Sequence, residues 1–204
     1  MRTACCLLVL CLLSPAWGSA QKASLDADGV CVGGRPSAPV KIEVFSDYQC
    51  PSCRDLYLGT MRSVLTHYAD AGKVCVIYRE FPLNMHPHAP QAARYAHAAL
   101  KLGLRQWSQV TDALFMSQDR WAQDGKVEEA VASALTKEEM SRLREALKNP
   151  AIDATIAQDI ELGRRRQVTA TPTFFITANG KTEKAVGVVQ YAILSRYLDS
   201  LLAR

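Results

Sequence analysis

A chain of 204 residues, 49% hydrophobic and 22% charged, can bury the core of one domain and lacks the composition of a disordered or fibrous protein. A net charge of +4 is too small to argue for nucleic acid or an anionic membrane as partner. The first residues are more specific. Arg2, the apolar run 4–13 and the small residues Gly18-Ser19-Ala20 predict a secretory signal peptide over residues 1–20, with an apolar stretch too short to span a bilayer. Cys11 follows Leu10 rather than a small residue, which argues against a lipoprotein cleavage site. The mature protein is expected to be exported and soluble. Of the seven cysteines, Cys5, Cys6 and Cys11 fall in the signal, leaving Cys31, Cys50, Cys53 and Cys75, an even number suited to an oxidising compartment.

Residues 21–37 read as a polar lead-in containing a short edge strand, Val30-Cys31-Val32, and a turn at Gly33-Gly34-Arg35-Pro36. Residues 40–45, rich in β-branched and aromatic side chains, predict a central strand. A helix follows Cys50-Pro51-Ser52-Cys53, with an apolar stripe of Leu56, Met61, Val64, Leu65 and Tyr68, and ends at Asp70-Ala71-Gly72. Residues 74–81 form the next strand, stopped by Pro82, so the three elements make a right-handed parallel βαβ unit. From 89 to 168 there is no strand signal. Ala- and Leu-rich segments broken near Gly103, Asp124-Gly125, Thr136 and Asn149-Pro150 predict four or five helices, one opened by a Thr136/Glu139 capping box. Residues 173–177 then predict a strand, Asn179-Gly180 a hairpin turn, residues 185–189 its partner, and 191–202 a closing helix.

The chemistry concentrates at Cys50-Pro51-Ser52-Cys53. Pro51 suits the first position of a helix, which leaves Cys50 beside unpaired backbone N–H groups and the positive end of the helix dipole. That setting favours a thiolate, and Cys53 lies one turn on, within reach of a disulfide. Two other readings stand beside a redox pair. Half of a zinc site would need a second ligand pair, and Cys31, Cys75, His86 and His88 are irregularly spaced. A purely structural disulfide would close so short a loop that it would stabilise little.

Asp47-Tyr48-Gln49-Cys50-Pro51-Ser52-Cys53, then Arg79-Glu80-Phe81-Pro82-Leu83 with His86-Pro87, then Thr171-Pro172-Thr173-Phe174-Phe175, resemble the DsbA-like, thioredoxin-fold thiol–disulfide oxidoreductases of bacteria, in family order. The resemblance implies an α/β thioredoxin-like fold with an additional N-terminal strand beside the second core strand. Residues 38–88 would be its N-terminal half, 89–168 a multi-helix insertion and 169–204 its C-terminal ββα half. It implies that Cys50 is the exposed nucleophile and Cys53 the buried resolving cysteine, with Pro51 and Ser52 between them setting the poise of the couple. Pro172 would be a cis-proline, and the Thr171 backbone would lie next to the pair, where an extended substrate could add as a strand. Taken alone, Thr171-Pro172 could equally be an ordinary turn.

Other expectations follow from the resemblance and from departures from it. The family's buried acid, six positions before the first cysteine, is here Val44, and Glu43 should face the other side of its strand, paired with a cation. Ser52 offers only a neutral hydroxyl where relatives carry histidine, so the couple should be less oxidising than theirs. If the N-terminal strand lies beside residues 74–81, Cys31 and Cys75 face each other, as either a structural disulfide or two buried thiols. His86 and His88 are read as loop residues capping the next helix, and His67 and His97 as helix-surface residues. Arg164-Arg165-Arg166 reads as a solvated helix end, and Trp107, Phe115 and Trp121 as core.

The function expected is a monomeric, exported or periplasmic dithiol oxidase. It would need no cofactor or metal beyond the Cys50–Cys53 disulfide, would act on protein thiols and would be reoxidised by a membrane-bound partner. Family isomerases carry an N-terminal dimerisation domain, for which the short lead-in has no room. A reductase or isomerase, and a non-catalytic thioredoxin-like chaperone or binding module, are the alternatives.

Overall fold

The computed structural model describes residues 29–203, so the signal-peptide reading of residues 1–20 lies outside the described residues. Five strands form one sheet in the order β1-β3-β2-β4-β5. The strands are β1 (Cys31–Gly33), β2 (Val40–Ser46), β3 (Val74–Glu80), β4 (Thr173–Ala178) and β5 (Lys181–Val186). β2 and β3 are parallel, and the other pairs are antiparallel. The parallel pair exists because a helix, α1 (residues 51–69), carries the chain back along the sheet. This helix alternates α-helical turns with two wide π turns, Tyr57–Met61 and Leu65–Ala69.

Between β3 and β4 lie six helices: α2 (Ala89–Leu102), α3 (Leu104–Met116), α4 (Gln118–Asp124), α5 (Val127–Ala132), α6 (Lys137–Ala146) and α7 (Ala151–Arg165). The expected breaks all occur. One more, at Ser117, raises the number above the four or five expected. There the Ser117 hydroxyl donates to the Ala113 carbonyl at 2.6 Å, and the backbone leaves helical geometry. The Thr136/Glu139 capping box is formed in both directions. α8 (Tyr191–Leu202) closes the chain.

The second hairpin strand begins directly after the Asn179-Gly180 turn, at Lys181, rather than at residue 185. β5 is an edge strand whose side chains are mostly exposed, so apolar alternation does not mark it. Both turn residues take positive φ, 51° and 73°, the geometry of a two-residue hairpin.

The sheet has two different faces. Val40, Ile42 and Val44 of β2 and Val74 and Val76 of β3 join α1, the inserted helices and α8 in the main core, where Trp107, Phe115 and Trp121 are buried as expected. The opposite face carries a small cluster of Phe45, Phe81, Val168 and Phe175. α7 comes close enough to it that a Cβ on Gly163 would meet the Phe81 ring at 2.4 Å.

On this second face Glu43 is held by Arg166 at 2.7 Å and Arg79 at 3.1 Å, and Arg79 also donates to Asp159 at 3.0 Å. Burial opposes the Glu43 charge, but the hydrogen bonds and fields of Arg166 and Arg79 outweigh it and hold the carboxyl below its ordinary range. Arg166 also lies 3.6 Å over the Phe175 ring, so it is a structural residue and not part of a solvated helix end. His97, read as a surface residue, is buried at 9% exposure because the inserted helices cover that side of α2. His67 does lie at the surface, against the Tyr191 hydroxyl at 3.0 Å.

Candidate active site

The site forms where β2 gives way to α1. Cys50 is the N-cap residue in extended geometry (φ −77°, ψ 122°), Pro51 begins the helix, and the Cys50 carbonyl accepts from the Cys53 and Arg54 amides at 3.1 and 3.2 Å. Both cysteines are unbonded. Cys53 is 1% exposed. Cys50 is 7% exposed, less open than the resemblance implies, because its sulfur lies 3.4 Å from the Thr171 carbonyl. Thr171-Pro172 is a cis peptide bond, and it brings to Cys50 a residue 121 positions away in sequence.

The two sulfurs differ electrostatically. The Cys50 thiol is lowered to about 6, chiefly by a hydrogen bond from the Cys53 thiol. Burial opposes this, and Thr171 and the backbone N–H groups of Cys53 and Ser52 add to it. Cys53 is pushed well up, first by burial and then by Cys50, even though its sulfur accepts from the Asp47 amide at 3.4 Å. One thiol is thus prepared to be an anion at neutral pH and the other is kept protonated.

Several residues to which the sequence reading gave no role at the cysteine pair hold this turn. The Asp47 carboxylate, fully buried, accepts from the Gln49 amide at 2.7 Å, the Leu83 amide at 2.8 Å and His86 Nδ1 at 2.7 Å. His86 therefore serves the redox turn rather than capping α2. His88 is the N-cap residue of α2 by position but makes no side-chain cap bond. Gln118, from α4, donates to the carbonyls of Tyr48 at 2.7 Å and Cys50 at 3.0 Å. Gln49 answers in the other direction, donating to the Ala122 carbonyl at 3.1 Å and accepting from the His88 amide at 2.8 Å. An aspartate two residues before a main-chain N–H is a local turn signal that could have flagged Asp47. Nothing local marks Gln118, 68 residues from its partner.

Cys31 and Cys75 are joined by a disulfide with a Cα–Cα distance of 5.4 Å, on the face of β3 opposite Cys53. Among the described residues no group of three or more His, Cys, Asp or Glu side chains is placed to hold a metal ion, and no helix is long and apolar enough to cross a membrane.

A C-x-x-C pair at a helix N-terminus, facing a cis-proline strand on a five-stranded mixed sheet, is the arrangement of a thioredoxin-like fold. A family model described as thioredoxin matches residues 26–199, and the chain belongs to that family. The structure is similar to that of a double cysteine-to-alanine variant of alpha-DsbA1 from Wolbachia pipientis, with TM-score 0.69 and 25% identity, covering 83% of this chain and 88% of that one. In sequence it is similar to the probable disulfide bond formation protein D of Bacillus cereus, 22% identical over 150 residues, 72% of this chain and 69% of that protein. It also matches a Na(+)/H(+) antiporter, NhaA 1 of Mycolicibacterium gilvum, 30% identical over 177 residues, 86% of this chain. The chain spans only 27% of that antiporter's length.

Proposed function

We propose that this protein is an exported dithiol oxidase, with Cys50 as nucleophile and Cys53 as resolving cysteine. The observation that carries the reading is the asymmetry of the pair: Cys50 is lowered to about 6 beside a Cys53 pushed well up. A stabilised Cys50 thiolate favours the reduced enzyme, and that makes its disulfide an oxidant. A substrate thiolate attacks Cys50 Sγ, the Cys50–Cys53 bond breaks, and Cys53 leaves with the electron pair and takes up a proton. A second substrate thiolate then attacks the substrate sulfur of the mixed disulfide and releases Cys50 as thiolate. Two electrons pass to the enzyme, and a membrane-bound disulfide-carrying partner removes them. The Thr171 carbonyl, beside Cys50, is the group an extended substrate would pair with. Export is supported by the N-terminal apolar run and by the Cys31–Cys75 disulfide, which suits an oxidising compartment.

The test is to equilibrate the mature protein in glutathione buffers and follow the Cys50–Cys53 couple. A potential near or above that of the glutathione pool is expected. A strongly reducing couple would make the protein a reductase, and a pair that never exchanges would leave a thioredoxin-like binding module.

A further inference from the structure

The redox pair exchanges protons as well as electrons, yet the position beneath Cys53 where an acid is expected holds Val44, apolar and 1% exposed. Two positions along the same face of β2 lies Ser46, whose hydroxyl is near enough to the Cys53 sulfur to help hold its ionisation down against burial. The parallel register pairs Val44 with Tyr78 and Ser46 with Glu80, and strand alternation sets Tyr78 and Glu80 on that same face. Glu80 is 4% exposed, and the influences on its ionisation are burial and the carboxylates of Asp159 and Asp47, with no cation among them. Its neighbour Arg79 turns to Glu43 and Asp159 instead. Burying a carboxylate without a cation beside it is costly and shifts the group toward its neutral form.

Glu80 also lines a cavity of about 350 Å³ between β3, α2, α3 and α7, together with Tyr78, His97, Lys101, Trp107 and Asp159. The volume is ample for water, and the buried His97 Nε2 at its wall has no partner. Glu80 therefore lies between the register neighbour Ser46, which reaches toward Cys53, and a cavity lined by both polar and apolar side chains.

We propose that Glu80 exchanges the proton of Cys53, acting through the Ser46 hydroxyl on one side and the cavity on the other. The inference rests on the oxidoreductase reading above. When the Cys50–Cys53 bond breaks, Cys53 sulfur keeps the electron pair. The Ser46 hydroxyl proton passes to that sulfur, the Glu80 proton passes to Ser46 Oγ, and the Glu80 carboxylate regains a proton from water through the cavity. When Cys53 attacks a mixed disulfide at Cys50 Sγ, the proton runs the opposite way and the substrate leaves as thiolate.

The surrounding charges suit an acid that is neutral at rest. Burial first, then Asp159 and Asp47, push Glu80 well above the ordinary carboxylate range. Tyr48 from the turn before α1 and Tyr78 from its own strand feel its charge, and His97, which burial lowers to about 4, and Lys101 of α2 line the same cavity. Arg79 is one residue back in the strand.

The test compares wild type, Glu80→Gln, Glu80→Asp and Ser46→Ala in stopped-flow reduction of the Cys50–Cys53 disulfide by dithiothreitol across neutral pH. Glu80→Gln is expected to slow the step by about tenfold or more and to remove one ionisation from the pH–rate profile, with partial recovery in Glu80→Asp. Ser46→Ala should lose the same ionisation. A profile for Glu80→Gln that superimposes on wild type, in a protein that still exchanges, overturns the role of Glu80 and leaves the oxidoreductase reading intact. A wild-type pair that never exchanges overturns both. If Glu80→Gln does not fold, infrared difference spectra of wild type labelled with ¹³C-glutamate decide the matter. A protonated glutamate band at neutral pH that shifts on reduction is expected, and its absence would refute the proposal.

Discussion

Removing the Cys53 thiol tests the electrostatics of the pair directly. The largest influence lowering Cys50 is the hydrogen bond from Cys53, so Cys53→Ala should raise the Cys50 ionisation markedly, while Cys53→Ser, which keeps a donor, should raise it less. With Cys50 ionising at about 6, about nine-tenths of it is thiolate at pH 7 in the reduced protein. Compared with a thiol left at 9.0, this stabilises the reduced form at pH 7 by about 1 kcal/mol, on the order of tens of millivolts for a two-electron couple. Because the ionisation is depressed, this advantage is fully present above pH 9.0 and shrinks as the pH falls, vanishing once it has passed below about 6. The assay is the thiolate ultraviolet absorbance as a function of pH, with the rate of alkylation by iodoacetamide as a second readout. A wild-type Cys50 that titrates like a free thiol would refute the reasoning. So would a Cys53→Ala variant whose Cys50 titrates where wild type does.

The Cys31–Cys75 disulfide bridges a sequence separation of 44, and its loss in the Cys31→Ala/Cys75→Ala variant should cost about 4 kcal/mol by loop-closure entropy, measured by urea unfolding. Unchanged stability would mean that the bond constrains little of the unfolded chain. Gln118→Leu leaves the buried carbonyls of Tyr48 and Cys50 without their side-chain donor and should destabilise by about 1–3 kcal/mol, with altered alkylation kinetics at Cys50. Equal kinetics would show that α4 does not hold the redox turn. Ser52→His should make the couple more oxidising in glutathione buffers by adding a cationic donor near the Cys50 sulfur, and an unmoved potential would contradict this.

Local rules settle a definite part of this protein. Residue type and spacing dictate the redox turn: Pro51 opens a helix, and the backbone groups freed there lie beside Cys50. β-branched runs mark β2, β3 and β4, the Asn179-Gly180 pair dictates the hairpin, and Thr136 with Glu139 opens α6. Each is a short-range effect of dihedral preference or capping, so it can be read within a few residues. The edge strand β5 escapes because its side chains are exposed, and the break at Ser117 escapes because a single serine is a weak signal. Tertiary structure alone decides what surrounds the cysteines. The Thr171 carbonyl reaches Cys50 across 121 residues, Gln118 reaches the Cys50 carbonyl across 68, and Asp47 gathers Leu83 and His86. The same holds for Glu80. The sequence shows a glutamate in a strand, but only the β2–β3 register sets it beside Ser46, and only the burial of that face removes its solvent. Dihedral preference acts between neighbours in the chain, whereas desolvation and charge act between neighbours in space, so the fold could be read before the chemistry of the site.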